Sequence, residues 1–188
     1  HLIPLVAPDA PEGAEFPAAD ALLVALGVAH LLAFPLAVWA IAGDSGLSLA
    51  ARVVVFLGFG QFFGQVSNPA AHELIHRGAR GLFRLGMVIY VTMLNGHHTS
   101  AHRLVHHRHV ATRDDPATAR AGEGFWRYLR RASIGGFRKG LRAEGDLRAR
   151  SAAPGLHPYA AYLGLAALSL LLAAVIGGGW GVLVWLAL

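Results

Sequence analysis

Long apolar runs separated by short polar breaks dominate the chain. Three of them are long enough to cross the hydrocarbon core of a bilayer as helices: residues 20–43, 49–67 and 158–176. A shorter run at 80–96 predicts a re-entrant helix or short span that returns to the side it left, and apolar residues at 180–188 predict the start of a further span. We therefore predict an all-α integral membrane helical bundle.

The composition supports a membrane protein. Of the 188 residues, 55% are hydrophobic and 14% are charged, against roughly 25% charged in ordinary soluble domains. We expect one membrane domain over residues 1–188, and we expect it to be a fragment, because it begins without Met and ends in apolar residues. Residues 1–18, rich in proline and acids, are expected to form an extraplasmic loop or the tail of a missing span.

The charges are divided along the chain. Residues 1–51 contain five acids and no Lys or Arg, whereas all sixteen Lys and Arg lie between Arg52 and Arg150. By the positive-inside rule the polar loop at 96–156 faces the cytoplasm. We expect no nucleic-acid partner, since the basic block lies between apolar spans. Alternating aromatics and arginines at 125–131 favour a helix lying at the lipid interface, where membrane lipids are its partners.

A first histidine box, His72-Glu-Leu-Ile-His76, places two imidazoles on one face of a helix, where they can grip one metal ion. Asn68 and Pro69 are expected to start a fresh helix here, as cap and first residue. In a zinc peptidase Glu73 would be the general base; beside an iron centre it would support a ligand or occasionally be one. His30, alone inside the first span, is expected to be packed or hydrogen-bonded rather than a ligand.

A second cluster lies between Asn95 and His109, where six of the fifteen residues are histidine. On an α-helix, His98, His102, His106 and His109 fall within an arc of about 80°. His107 is expected to point away from that stripe. Because an undistorted helix cannot aim His102, His106 and His107 at one ion, the spacing indicates more than one metal ion.

The donor set limits the chemistry of this site. The chain has no cysteine, which leaves imidazole and carboxylate as metal ligands and excludes thiolate sites. Five well-placed histidines exceed what a catalytic zinc takes and fall short of two six-coordinate ions. We therefore expect further ligands, either beyond Leu188, which we favour, or from another chain. His97, His98, His109 and Asp115 are candidates for supporting roles around the ligands.

These motifs carry a family resemblance. The box at His72–His76, the interval of about thirty residues, His102-x-x-x-His106-His107, and Val110-Ala-Thr-x-x-Asp115-Pro-Ala-Thr-Ala-Arg120 resemble the bacterial membrane alkane hydroxylases (alkane 1-monooxygenases), within the wider fatty-acid-desaturase-like group. Two departures stand out. Ala101 occupies the place where that family has Glu, and the chain stops before the family's later histidine and third box.

The resemblance implies two non-haem irons at the cytoplasmic ends of the helices, in a multi-pass protein of the bacterial inner membrane. By position the iron ligands would be His72, His76, His102, His106 and His107. The implied reaction is hydroxylation of a terminal methyl group with O2 and with electrons from rubredoxin or ferredoxin.

A site at the mouth of apolar spans can take a hydrocarbon from the bilayer, whether alkane, fatty acyl chain, terpenoid or alkyl-aromatic. An acidic carrier would meet Arg103, Arg108, Arg113, Arg120, Arg127, Arg130 and Arg131, although the same arginines can instead anchor the loop to anionic lipid.

Two other functions stay open at this stage. A desaturase or a carotenoid-type hydroxylase of the same fold would use the same ligands. An intramembrane zinc metallopeptidase would use His72, His76 and Glu73 and would leave the second box without a role.

Overall fold

The computed structural model describes residues 17–151 and 155–188, and these are helical with no strand among them. The helices are α1 (Pro17–Ala42), α2 (Leu49–Phe62), α3 (Asn68–His76), α4 (Arg80–Thr92), α5 (His98–Ala101), α6 (His107–His109), α7 (Phe125–Ser151) and α8 (Pro158–Ala187). Two π-helical turns interrupt this series, Phe63–Ser67 between α2 and α3 and His102–His106 between α5 and α6. The predicted all-α class is confirmed.

Three helical stretches are long and apolar enough to cross a membrane: Ala18–Ala42, Leu49–His76 and Pro158–Ala187. The last is interrupted at Gly177 and Gly178, whose backbone angles are not helical. Gly178 has a φ of +59°, a conformation that favours glycine. Gly177 packs against α1, where an added Cβ would lie 2.9 Å from the Cβ of Ala42. This break falls where the hydropathy pattern separates 158–176 from 180–188.

The prediction of a fresh helix at Asn68 is wrong, because the helix runs on without a break from α2 into α3. Ser67 has helical angles, and the Asn68 N–H donates to the carbonyl of Phe63, five residues back. A proline inside an α-helix loses one hydrogen bond and its ring crowds the carbonyl four residues back. The wide π-helical turn just before Pro69 relieves this conflict and keeps the helix continuous.

The start of α1 lies at the same end of the bundle as the first histidine box. Asp20 Oδ1 is 3.0 Å from Arg77 Nε, directly after His76. At the opposite end, Arg52 Nε donates to the carbonyl of Leu47 at 3.0 Å. Two crossings thus return the chain to the side that it left, so the expected opposition between the start of α1 and the histidine boxes is wrong. Residues 1–16 of the stretch 1–18, expected as an extraplasmic loop or the tail of a missing span, lie outside the described residues.

The core between the candidate spans is largely apolar and contains one histidine. Phe34, Phe63 and Trp185 join α1, the first π-helical turn and α8, with ring centroids of Phe34 4.5 Å from Phe63 and 4.4 Å from Trp185. His30 is fully buried beside them, and its Nε2 lies 2.7 Å from Thr92 Oγ1. The predicted packed, hydrogen-bonded role of His30 is confirmed.

Two further helices support the histidine end. α4 follows α3 as the second arm of a helical hairpin; its 13 residues rise roughly 20 Å, less than the bilayer core. α7 is a 27-residue helix within the polar stretch expected as a loop at 96–156, and it packs across α5 and the second π-helical turn. The residues of α4 and α7 thus enclose the second histidine cluster.

Candidate metal centre

Two helical segments bring the histidine boxes together. His72 and His76 are one turn apart on α3, with ring centroids 4.9 Å apart, as the first box predicts. His102 faces them from the second π-helical turn. Its Nε2 lies 2.8 Å from the Nε2 of His72 and 3.0 Å from the Nε2 of His76. These three side chains form a group whose ligand atoms all lie within 4.8 Å of one another.

His107 joins this group, contrary to the expectation that it points away. Its Nε2 lies 2.9 Å from that of His102, and its ring stacks on His76 with centroids 4.9 Å apart. In an α-helix, residues five apart differ by about 140° in direction. The segment is π-helical instead, and the His107 N–H donates to the carbonyl of His102. This turn places the two imidazoles on one face, so the local helix type decides the ligand set.

The nitrogen contacts around His102 fit a bound metal. Its Nε2 has three imidazole nitrogens at 2.8–3.0 Å. One imidazole nitrogen carries either one hydrogen or one lone pair and cannot make three such hydrogen bonds. Nitrogens that bind one ion at about 2.1 Å lie roughly 3.0–3.4 Å apart, close to the spacing seen here. Imidazoles without thiolates are a donor set for iron, copper, nickel or zinc.

His106 is held by a carboxylate at the edge of the group. Its Nδ1 lies 2.8 Å from Oδ2 of Asp115, and its ring stacks on His102 with centroids 5.1 Å apart. An Nδ1–H donated to the carboxylate leaves Nε2 as the metal-binding nitrogen, and carboxylates commonly orient ligand histidines in this way. Asp115 is therefore placed to support a ligand.

The side chain of Asp115 is completely buried, yet it stays ionised. Burial raises its pKa, but hydrogen bonds outweigh that effect and lower it: Thr118 Oγ1 donates at 2.5 Å, the Ala117 N–H at 2.9 Å, and His106 adds a third. A carboxylate that accepts several hydrogen bonds favours its charged form. Asp115 thus orders the turn that follows it and the ligand beside it.

Arg131 of α7 fastens the loop that carries Asp115. It donates to both carboxylate oxygens of Glu123, at 2.8 and 2.5 Å, and to the carbonyls of Pro116 and Thr118 at 2.8 and 2.9 Å. Hydrogen bonding to Arg131 lowers the pKa of Glu123 to about 2. Arg131 therefore stabilises the loop that carries Asp115.

Burial keeps the central imidazole neutral. The pKa of His102 is lowered to about 3, mainly by burial and to a smaller extent by the positive charge that His98 and other neighbours can carry. Burial likewise lowers the pKa of His98 to about 4. Neutral imidazole is the form that binds metal, so protons do not compete with a metal ion near neutral pH.

The remaining predicted site residues lie at the margins of the group. The Glu73 carboxylate, 58% exposed, is 3.8 Å from His72 Nδ1, which is beyond hydrogen-bond distance. His98 stacks on His102 with centroids 5.1 Å apart and also contacts the ring of Tyr90. Glu73 and His98 therefore lie beside the ligands His72 and His102.

Two other histidines lie apart from the ligands. His97 packs against Phe137 of α7, with centroids 5.5 Å apart. His109 is exposed, and no ring contact joins it to the group within residues 17–151 and 155–188. Sequence reasoning missed Ser100, Glu144 and Tyr162, which bond one another behind the ligands. These residues lie far apart along the chain and share no motif.

Comparison with known proteins agrees with this site. Residues 47–188, more than half of the chain, match the sequence model of the fatty acid desaturase family. The alkane 1-monooxygenase of Pseudomonas putida is 31% identical over 110 residues, which are 58% of this chain and 27% of that protein. Alkane 1-monooxygenase 2 of Pseudomonas aeruginosa is 24% identical over 119 residues, 63% of this chain and 32% of that protein. The chain thus spans less than a third of the length of these curated relatives. It belongs to the fatty acid desaturase family.

Proposed function

We propose that this chain forms part of an integral membrane di-iron monooxygenase that hydroxylates the terminal methyl group of an alkane or similar hydrocarbon. The observation that carries the proposal is the convergence of three imidazole nitrogens on His102 Nε2 within 3.0 Å. The similarity to the alkane 1-monooxygenases named above supports it.

The ligands in this proposal are His72, His76, His102, His106 and His107. When bound, two irons would supply the activation of O2. The protein holds the imidazole of His102 neutral by burial, orients His106 through Asp115, and keeps His102 and His107 on one face by its π-helical turn. Glu73 is exposed beside His72, with its carboxylate 3.8 Å from the Nδ1 of that imidazole.

An apolar groove supplies a route for a hydrocarbon. A cavity of about 480 Å³ lies between α1, α4 and α8, and its walls include Leu31, Phe34, Val88, Val91, Leu168 and Leu172. Leu168 and Leu172 are exposed on the outer surface of α8, where lipid would contact them. A chain from the bilayer can enter between these helices, because the walls offer it mainly apolar contacts.

The charges support a site on the cytoplasmic side of a bacterial inner membrane. Apart from Arg52 at the far end of the bundle, all Lys and Arg lie between Arg77 and Arg150, in the segments around the histidine group. An acidic rubredoxin or ferredoxin would approach this basic end, where Arg127 and Arg130 are exposed.

A desaturase or a carotenoid-type hydroxylase is the second candidate, favoured by the family match itself. A zinc peptidase fits less well, because His102 and His107 would add ligands to a zinc that takes three from the protein.

Metal analysis tests the proposal first. The full-length protein, purified in detergent, is expected to contain about two irons per chain. Stoichiometric zinc without iron would contradict it. The iron-loaded protein, supplied with O2, reduced ferredoxin or rubredoxin and a medium-chain alkane, is expected to form the primary alcohol. In a parallel assay with a saturated fatty acyl substrate, an unsaturated acyl product, with no alcohol formed from the alkane, would instead identify the desaturase.

A further inference from the structure

Ser100 connects the start of the second π-helical turn to two other helices. It is 3% exposed and lies two residues before His102. Its hydroxyl donates to Oε1 of Glu144 on α7 at 2.6 Å, and the Tyr162 hydroxyl on α8 lies 2.9 Å from Ser100 Oγ. Because the single hydroxyl hydrogen of Ser100 goes to the carboxylate, Tyr162 is the donor in the second bond.

A close helix approach positions Glu144. At Gly140 of α7 an added Cβ would lie 3.1 Å from the backbone N of Ala101 and 2.3 Å from the hydroxyl of Tyr159. α7 therefore contacts the backbone of α5 at this point. Glu144 is one turn further along α7, on the same face as Gly140. Its carboxylate thus reaches Ser100, beside the small residue Ala101 that replaces the Glu of the resembling enzymes.

The π-helical turn needs support at both ends. Such turns are rare, and they persist where the surroundings favour them. At the far end, Asp115 holds His106 at 2.8 Å. At the near end, the hydroxyl of Ser100 is held by hydrogen bonds with Glu144 and Tyr162. If the near end were free to rewind as α-helix, His102 and His107 would separate by about 140°.

We propose that Glu144 is a positioning residue for the metal centre: through Ser100 it holds the start of the π-helical turn so that His102 and His107 stay on one face. This inference rests on the proposed metal centre. It predicts that metal affinity depends on a carboxylate that itself touches no ligand.

Titration of the metal-free protein with Co²⁺ tests this, because Co²⁺ reports its coordination through ligand-field absorption. The variants are Glu144→Ala, Glu144→Gln and Ser100→Ala, and the matched control is Asp146→Asn, an exposed acid on the same helix. Glu144→Ala and Ser100→Ala are each expected to weaken Co²⁺ binding by roughly 10-fold or more, as for groups that orient ligands. Glu144→Gln keeps an acceptor oxygen and is expected to restore much of the affinity. The Ser100→Ala/Glu144→Ala double variant is expected to bind no worse than either single variant, since both remove the same bond.

Three measurements separate the outcomes. If wild-type protein binds no Co²⁺ or iron, the proposed metal centre is wrong. If wild-type binds and Glu144→Ala keeps the same affinity and absorption spectrum while its melting temperature falls, the bond only stabilises the fold and the inference is overturned. If Glu144→Ala does not fold by circular dichroism, Ser100→Ala, which removes one hydroxyl, decides: unchanged affinity contradicts the inference.

Discussion

His102 and His107 approach each other with their Nε2 atoms 2.9 Å apart, although five positions separate them on one helix. An α-helix would turn them about 140° apart. The π-helical hydrogen bond from the His107 N–H to the His102 carbonyl makes this contact possible. One wide turn thus changes which histidines can share a metal.

His102→Ala is expected to abolish this arrangement, because it removes the nitrogen that three other imidazoles approach. We expect metal affinity to fall by more than the roughly 10- to 100-fold typical of groups that only orient a ligand. Iron per chain, measured by elemental analysis, checks the prediction. His109→Ala, at an exposed position in the same stretch, is the control and is expected to keep its iron. Equal loss in both variants would contradict the assigned ligand set.

Asp115→Asn is expected to weaken metal binding by roughly 10- to 100-fold. The amide cannot accept as many hydrogen bonds as the carboxylate, which now serves His106, Ala117 and Thr118. The adjacent Asp114→Asn is the control, since its side chain is 78% exposed. Metal titration of both variants compares them, and a similar effect at both positions would assign the loss to overall charge.

Gly140→Ala is expected to destabilise the protein by roughly 1–3 kcal/mol, because the added methyl group would collide with Tyr159 and Ala101. Gly145→Ala, on the same helix, meets nothing within 4 Å and is expected to stabilise by up to about 1 kcal/mol. Thermal unfolding in detergent distinguishes them. If Gly140→Ala is as stable as the wild type, α7 does not pack closely against α5 at this position.

Acid is expected to release the loop at 110–124. The pKa of Glu123 is lowered to about 2 from an ordinary value of 4.5, so the bond to Arg131 contributes its full stabilisation above pH 4.5. That contribution falls as the pH drops from 4.5 towards 2, because the unfolded form takes up the proton first. Limited pepsin digestion across this range is expected to cleave the loop increasingly. Glu123→Gln, which lacks the charge, is expected to show a weaker dependence on pH.

Arg127→Gln combined with Arg130→Gln is expected to raise the KM for the electron carrier at low salt by a factor on the order of ten. The kcat is expected to hold, and the salt dependence to flatten, since these exposed side chains act on encounter. Steady-state kinetics with ferredoxin or rubredoxin measures both. Arg131→Gln serves as a contrast, because it frees the Asp115 loop and is expected to lower metal content. Loss of membrane association in the double variant would instead assign Arg127 and Arg130 to lipid.

The sequence by itself determined the helical class, the candidate spans and the pairing of His72 with His76. Each depends on properties that act locally: apolar length, and the spacing of one helical turn. The packed, hydrogen-bonded role of His30 could also be predicted from the sequence, because a buried histidine among apolar neighbours needs a hydrogen-bond partner.

Only the tertiary structure decided which partners the second box acquires. The position of His107 depends on an i to i−5 hydrogen bond, which no α-helical pattern contains. Two long-range contacts likewise cannot be predicted from the periodicity of the sequence: Asp20 with Arg77, and Ser100 with Glu144. Arg131 looked like surface charge in the sequence, and its bonds to Glu123 and two carbonyls arise only once α7 lies under the loop. Local spacing determines which face a side chain takes on a regular helix, whereas packing determines where the helix departs from regularity and what each face meets.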